Sequence, residues 1–224
     1  MTREGYQEKL DQLREDVLYM SEIVQDRLRT ALEALEGKDD DLAWEVIEGD
    51  HEINELYLDL ERDCIDLLAL QQPVAGDLRF IAASFKVITD LERVGDLAVN
   101  LADYTMEAER DAFPEVDIQE IGQRTIAMVE DAMVAYEAED AEACYAIADR
   151  DEAVDAMCED ASEVVVRDLL ERGDETTEAE VQQTMQDVYR LLLTIRDLER
   201  VGDHAVNIAA RTLYMVENDD DLLY

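Results

Sequence analysis

The chain has 224 residues, 59 of them acidic and 19 basic, for a formal charge of −40 at pH 7. A field of that sign opposes direct binding to nucleic-acid backbones or to anionic lipid. With 48% apolar residues, 8 Gly and 2 Pro, the chain has few of the breakers that an all-β fold needs, and the fold class expected is all-α.

The opening MTREGYQEKL lacks the apolar stretch of a secretory signal, and no run reaches the ~18 apolar residues of a membrane span. A cytoplasmic protein with no membrane span is expected. Apolar residues recur at three- and four-residue spacing and predict six long helices, three per half. The first covers residues 3–36; Gly37 ends it, and Asp39 to Asp41 cap the second, residues 40–70. That second helix carries a heptad seam at Val46, Asp50, Ile53, Tyr57, Leu60, Cys64 and Leu67. Gln71-Gln72-Pro73 separates it from the third, residues 75–110. Phe113-Pro114 then marks the boundary between a first domain, residues 1–112, and a second, residues 113–224. The fourth and fifth helices are predicted at residues 115–137 and 139–171, the fifth repeating the seam at Ile147, Asp151, Val154, Cys158, Ala161 and Val165. Gly173 and Thr176-Thr177 mark the connection into the sixth, residues 175–216.

The halves are copies. Asp90 to Ala102 reads DLERVGDLAVNLA and Asp197 to Ala209 reads DLERVGDHAVNIA, identical at 11 of 13 positions across an offset of 107. In the middle helices the offset is 101, so the extra residues belong in the loop before the sixth helix. The chain therefore reads as two tandem three-helix bundles related by internal duplication.

Within the repeated block, Glu92-x-x-x-Asp96 and Glu199-x-x-x-Asp203 each place two carboxylates one helical turn apart on the same face. Spacing alone says little in so acidic a chain, and most such pairs are solvated surface. Position says more. On a helical wheel Ile88, Leu91, Val94, Gly95, Ala98 and Ala102 form the apolar arc, and Glu92 and Asp96 border it. Gly95 and Gly202 sit in that arc and would admit a close neighbour, at about 1 kcal/mol each relative to Ala. The middle helices offer Asp50-x-x-x-Asn54 and Asp151-x-x-x-Asp155, with one seam aspartate in each. A carboxylate in an apolar seam is costly unless it is paired, solvated or bound to a cation. Four oxygen donors converging from two helices suit a hard cation such as Mg, Ca, Mn or Fe, with Zn accessible through carboxylates. The competing expectation is salt bridging, with Arg93 and Arg200 reaching another helix rather than their own neighbours. Asn100 and Asn207, one turn further on, extend the candidate site.

Other chemistry is not supported. Glu48-x-x-His51 has the spacing of a di-iron carboxylate bundle, but such a site needs two copies and the second half has none. No phosphate-cradling glycine loop and no paired nucleophile and base appear, so no enzyme is expected. Cys64, Cys144 and Cys158 lack CxxC spacing and read as buried free thiols. The basic set is 16 Arg and 3 Lys (Lys9, Lys38, Lys86), an acid-rich, lysine-poor balance expected of a halophilic source. Such charge self-repels at a Debye length of about 10 Å and is screened when that length falls to about 3 Å near molar salt.

Taken together, QQPVAGDLR at Gln71 to Arg79, the doubled ERVGD block, Asp50 to Asn54 and Asp151 to Asp155 resemble the PhoU family over nearly the whole chain. The resemblance implies two three-helix bundles, each with a paired E(D)-x-x-x-D metal motif. These map to Asp50, Asn54, Glu92 and Asp96 in the first half, and to Asp151, Asp155, Glu199 and Asp203 in the second. Asn54 stands where a carboxylate is expected, so the first site should bind metal more weakly than the second. DLR at Asp77 to Arg79 has no counterpart at Thr184 to Gln186, which confines the role of Arg79 to one half. The resemblance also implies a homodimeric regulator of phosphate uptake that restrains a phosphate ABC transporter, with the transporter ATPase and a sensor kinase as partners. The alternative is a structural helical adaptor or cation-responsive scaffold without a phosphate role.

Overall fold

The computed structural model describes residues 3–70, 74–107, 116–171 and 177–223. They form α1 (Arg3–Gly37), α2 (Asp40–Leu70), α3 (Ala75–Met106), α4 (Ile118–Ala138), α5 (Ala141–Glu171) and α6 (Glu178–Glu217), closed by a 3-10 turn at Asp221–Leu223. Among the described residues there is no strand, and no helix is long and apolar enough to cross a membrane. Four predicted ends move by two residues or more, the fifth helix beginning at Ala141 rather than residue 139 and the sixth at Glu178 rather than residue 175. The third helix stops at Met106 rather than residue 110, and the fourth begins at Ile118 rather than residue 115. There the N-cap is Asp117, whose side chain accepts from the Glu120 amide. The expected boundary at Phe113-Pro114 and the Gln71-Gln72-Pro73 connection lie outside the described residues.

Local chemistry sets the turns. The Asp39 carboxylate accepts from the amides of Asp41 and Leu42, at 3.0 and 3.1 Å, and caps α2. Asp140 does the same for α5 through Glu142 and Ala143. Gly37 is not the residue that turns the chain: it stays helical, and Lys38 takes the left-handed conformation at φ 50°. Its copy, Glu139, does likewise at φ 55°. Both are followed by an aspartate whose amide returns to the helix, Asp39 to the Ala34 carbonyl and Asp140 to that of Ala135. The strain of a left-handed non-glycine residue is thus held by the same reverse turn in each half. α6 begins with a reciprocal capping box, in which Thr177 Oγ1 accepts from the Glu180 amide and Glu180 accepts from that of Thr177.

α1, α2 and α3 pack as one bundle and α4, α5 and α6 as a second, while α3 lies against α6 and α1 against α4 between them. The seam positions Val46, Ile53, Leu60, Cys64 and Leu67 are all buried, as are Ile147, Val154, Cys158 and Val165. The three thiols are free. Polar links also cross the junction of the halves. Arg14 of α1 donates to the Tyr136 and Glu137 carbonyls at the end of α4, and its guanidinium lies 4.7 Å from the centre of the Phe80 ring. The hydroxyls of Ser84 and Tyr136 are 2.7 Å apart in the interior. The α3–α6 contact brings the two copies of the repeated block side by side.

Candidate functional site

Each copy of the block faces the middle helix of its own bundle. A Cβ on Gly95 would meet Ile53 at 3.1 Å, and one on Gly202 would meet Asp151 Oδ1 at 2.9 Å, so both glycines mark the close approach expected of them. In the second half that approach is made by a carboxylate.

In the first turn, Asp50, Asn54, Glu92 and Asp96 are all partly shielded from solvent. Asn54 Nδ2 donates to Asp50 Oδ2 at 2.7 Å. Arg93 stays on its own helix, with Nε 3.5 Å from Glu92 Oε2 and a terminal nitrogen 3.1 Å from Asp96 Oδ2. Burial, and then the charge of Asp96, raises the carboxyl groups of both Asp50 and Glu92 above their ordinary range, while Asn54 pulls Asp50 back and Arg93 pulls Glu92 back.

The second turn lacks such partners. Among the described residues no arginine or lysine forms an ion pair with Asp151, Asp155, Glu199 or Asp203; Arg200 turns back to Asp197 at 3.4 Å. Asp151 Oδ1 is buried without a hydrogen-bond partner. Burial, followed by the charges of Asp155, Asp203 and Glu199, pushes the Asp151 carboxyl from 3.8 up to about 6. Glu199 and Asp203 are also raised, by burial first and Asp155 next, while His204 and Arg200 pull Asp203 part of the way back. The four carboxylates share one neighbourhood without closing on a point. Among the described residues, Asp219, Asp220 and Asp221 are the one group of three whose ligand atoms all lie within 4.8 Å of one another, and they sit in the exposed closing turn. The buried, unpartnered Asp151 oxygen and the all-oxygen donor set nonetheless fit a hard divalent cation.

A raised carboxyl opposes folding once it ionises. The burden of Asp151 is absent below about pH 4, grows between about pH 4 and 6, and is complete above about 6. After allowance for partial solvent screening it amounts to about 1 kcal/mol at neutral pH. Asp151→Asn should therefore raise the melting temperature of the cation-free protein by about 3 °C at pH 7.5 and leave it unchanged near pH 4, as read by a pair of thermal melts.

Two sequence expectations are corrected. Arg93 and Arg200 pair within their own helices, with acceptors one turn or less away. Asn100 and Asn207 do not extend the carboxylate turns. Asn100 Nδ2 donates to Asp197 at 3.1 Å, and Asn207 Nδ2 donates to Asp90 at 3.4 Å, each reaching the opposite copy. Asp197 is fully buried and also accepts from Tyr104 at 2.9 Å and from Arg196 at 2.9 Å. Asp90 accepts from His204 Nδ1 at 2.8 Å. These two aspartates tie the bundles together, a role absent from the sequence reading. The signal was present: Asp90, Val94, Leu97 and Leu101 share one helical stripe, and both copies keep the aspartate. Arg79, for its part, donates to the Met215 carbonyl at 3.4 Å, beside a cleft of about 310 Å³ that Arg14 and Asp77 also line.

The family model described as "PhoU domain" matches residues 17–105 and again 118–212, one match in each bundle. The chain belongs to the PhoU family. A phosphate-specific transport system accessory protein PhoU homolog of Pseudomonas aeruginosa is 32% identical over 95% of this chain and 85% of its own length. The phosphate-specific transport system accessory protein PhoU of Escherichia coli K12 is 31% identical at the same coverage. A crystal structure of PhoU from Pseudomonas aeruginosa superposes with a TM-score of 0.88 at 30% identity, covering 96% of this chain and all of the other. The phosphate transport system regulatory protein PhoU from Streptococcus pneumoniae gives 0.86 at 27%, covering 96% and 98%. The tandem-bundle architecture and the PhoU resemblance read from the repeated block are thus both established.

Proposed function

We propose that this chain is an accessory regulator of phosphate transport, a non-catalytic adaptor that restrains a phosphate ABC transporter and reports to the starvation response. Its targets are the transporter ATPase and, where one exists, a sensor kinase. Family membership supports the phosphate role, and a single observation supports cation dependence: the second turn gathers four carboxylates, none of them ion-paired to an arginine or lysine among the described residues, and leaves a buried Asp151 oxygen unpaired.

Asp151, Asp155, Glu199 and Asp203 would hold the ion, Asp151 and Asp155 from α5 and Glu199 and Asp203 from α6. When bound, a divalent ion such as Mn, Mg, Fe or Zn supplies neutralising charge and spare coordination positions able to take an oxyanion. The residues do the rest. Asp151 sits against Gly202 and so couples the site to the α5–α6 crossing, while Glu199 and Asp203 belong to the helix that packs on α3. Relief of carboxylate repulsion therefore favours one packing of the second bundle against the first, the differential contact that a switch requires.

Affinity capture at native salt, from phosphate-replete and phosphate-starved cells, tests the phosphate role. A phosphate-transporter ATPase should be recovered with the tagged protein in replete cells. Its absence under both conditions would instead favour the helical scaffold without a phosphate role.

A further inference from the structure

The cleft beside Arg79 lies where the two bundles meet, between the start of α3, the early turns of α1 and the end of α6. At 3.6 residues per turn, Asp77 and Arg79 flank Gly76 on α3. A Cβ on Gly76 would meet nothing within 4 Å, so the glycine leaves the floor between the two charged side chains open. Both side chains have unmet polar groups. Asp77 Oδ2 is buried without a hydrogen-bond partner; Arg3 comes within 3.4 Å of it but is 60% exposed. Arg79 is partly buried and fixed through Nε to the Met215 carbonyl at 3.4 Å, and among the described residues its two terminal nitrogens have no acceptor. The other charges of the cleft are occupied. Arg14 is held by Glu139 at 2.5 Å and by two carbonyls, and Asp11 accepts from Gln7 at 3.2 Å. Val74 gives the first turn of α3 no side-chain cap, which leaves its leading amides to an outside acceptor.

The geometry points to a hydrogen-phosphate group as the ligand of this cleft, with P–O oxygens accepting from Arg79 and a P–OH donating to Asp77. An unfilled guanidinium fork calls for an anion, and a buried carboxylate oxygen calls for a donor. Phosphate and its monoesters carry both on one centre, because they keep a proton near about pH 6. Sulfate keeps none and would set a bare oxygen against Asp77, a like-charge contact that selects against it. The formal charge of −40 opposes any anion, so this preference has to come from the local groups. Thr184 and Gln186 stand in the second half where Asp77 and Arg79 stand in the first, so each chain holds one such site. Its walls come from both bundles, with Arg79 already tied to the end of α6, and occupancy therefore braces their junction. The site shares no residue with the carboxylate turns and does not depend on their cation.

Calorimetric titration of the chelator-stripped full chain tests this, at about pH 6 in molar potassium chloride, with inorganic phosphate, glycerol phosphate and sulfate as probes. Chelation removes any ion through which the second turn could take up an oxyanion. Inorganic phosphate or the monoester should bind at one equivalent per chain, roughly tenfold or more tighter than sulfate, and the tighter of the two identifies the form that fits. Arg79→Gln should weaken that binding by roughly tenfold or more, and Asp77→Asn should erase the preference over sulfate, with circular dichroism confirming that both variants fold. Wild type that binds neither phosphate compound, or binds sulfate equally well, overturns the inference, as does unchanged affinity in Arg79→Gln. None of these outcomes bears on the cation reading of the second turn.

Discussion

Replacing Glu199 by Gln and Asp203 by Asn together should weaken divalent-cation binding at the second turn by about a hundredfold, close to 3 kcal/mol. Both changes preserve shape and remove one negative charge each, so the effect reports ligation and not packing. The cation-free protein should move the opposite way. Glu199 and Asp203 are raised by burial and by Asp155, and their charges add to the burial and the Asp155 charge that push Asp151 up to about 6, so their removal relieves repulsion and raises the melting temperature. Weaker binding together with a firmer fold distinguishes a strained cation site from a merely solvated acidic face, which would respond to neither measurement. Calorimetric titration with Mn and thermal melts of the stripped protein, both at molar salt, supply the two readings.

The largest effect on stability is expected at Asp197. Its carboxylate is fully buried and accepts from Asn100 and Tyr104 of α3 as well as from Arg196 and Arg200 of its own helix. Its charge, after burial, drives the Tyr104 hydroxyl up to about 12, so that hydroxyl remains a donor at any physiological pH. Asp197→Ala strands the Tyr104 and Asn100 donors at the bundle contact, and hydrogen bonds to a charged group are each worth about 1.5–3 kcal/mol. A loss of about 3–4 kcal/mol is expected, visible as a fall in melting temperature on the order of 10 °C. Asp90→Ala removes the less enclosed partner of His204 and should cost about half as much. The Asp197 variant has a second signature. It releases Arg200, which can then fall onto Glu199 and Asp203 as Arg93 does on Glu92 and Asp96, so cation affinity at the second turn should drop as well.

The fold was legible because six apolar stripes of helical period and a near-identical block at a fixed offset are strong, redundant signals. The start of α2 was legible at Asp39, but the capped starts of α4 at Ile118 and α6 at Glu178 were each placed three residues early, and the end of α3 at Met106 four residues late. Lys38 and Glu139 gave no warning, because a non-glycine residue turns left-handed only when the surrounding turn holds it there. The eight candidate residues were chosen from spacing, the wheel, the seam and the family resemblance, since glutamates bordering an apolar arc have few places to go. Where the arginines point was not readable. Neither was the pairing of His204 with Asp90 across the α3–α6 contact, which is a property of how two bundles meet and not of either helix alone. The same contact reassigned Asn100 and Asn207 from the carboxylate turns to the junction.

The most direct test of the account compares capture of a purified phosphate-transporter ATPase by the Mn-loaded protein, by the chelated protein and by the Glu199→Gln, Asp203→Asn variant, all at native salt. The account predicts retention by the loaded wild type and at least tenfold less by the other two. Equal retention by all three would contradict the claim that the second carboxylate turn governs the adaptor, and retention by none would contradict its place in phosphate transport.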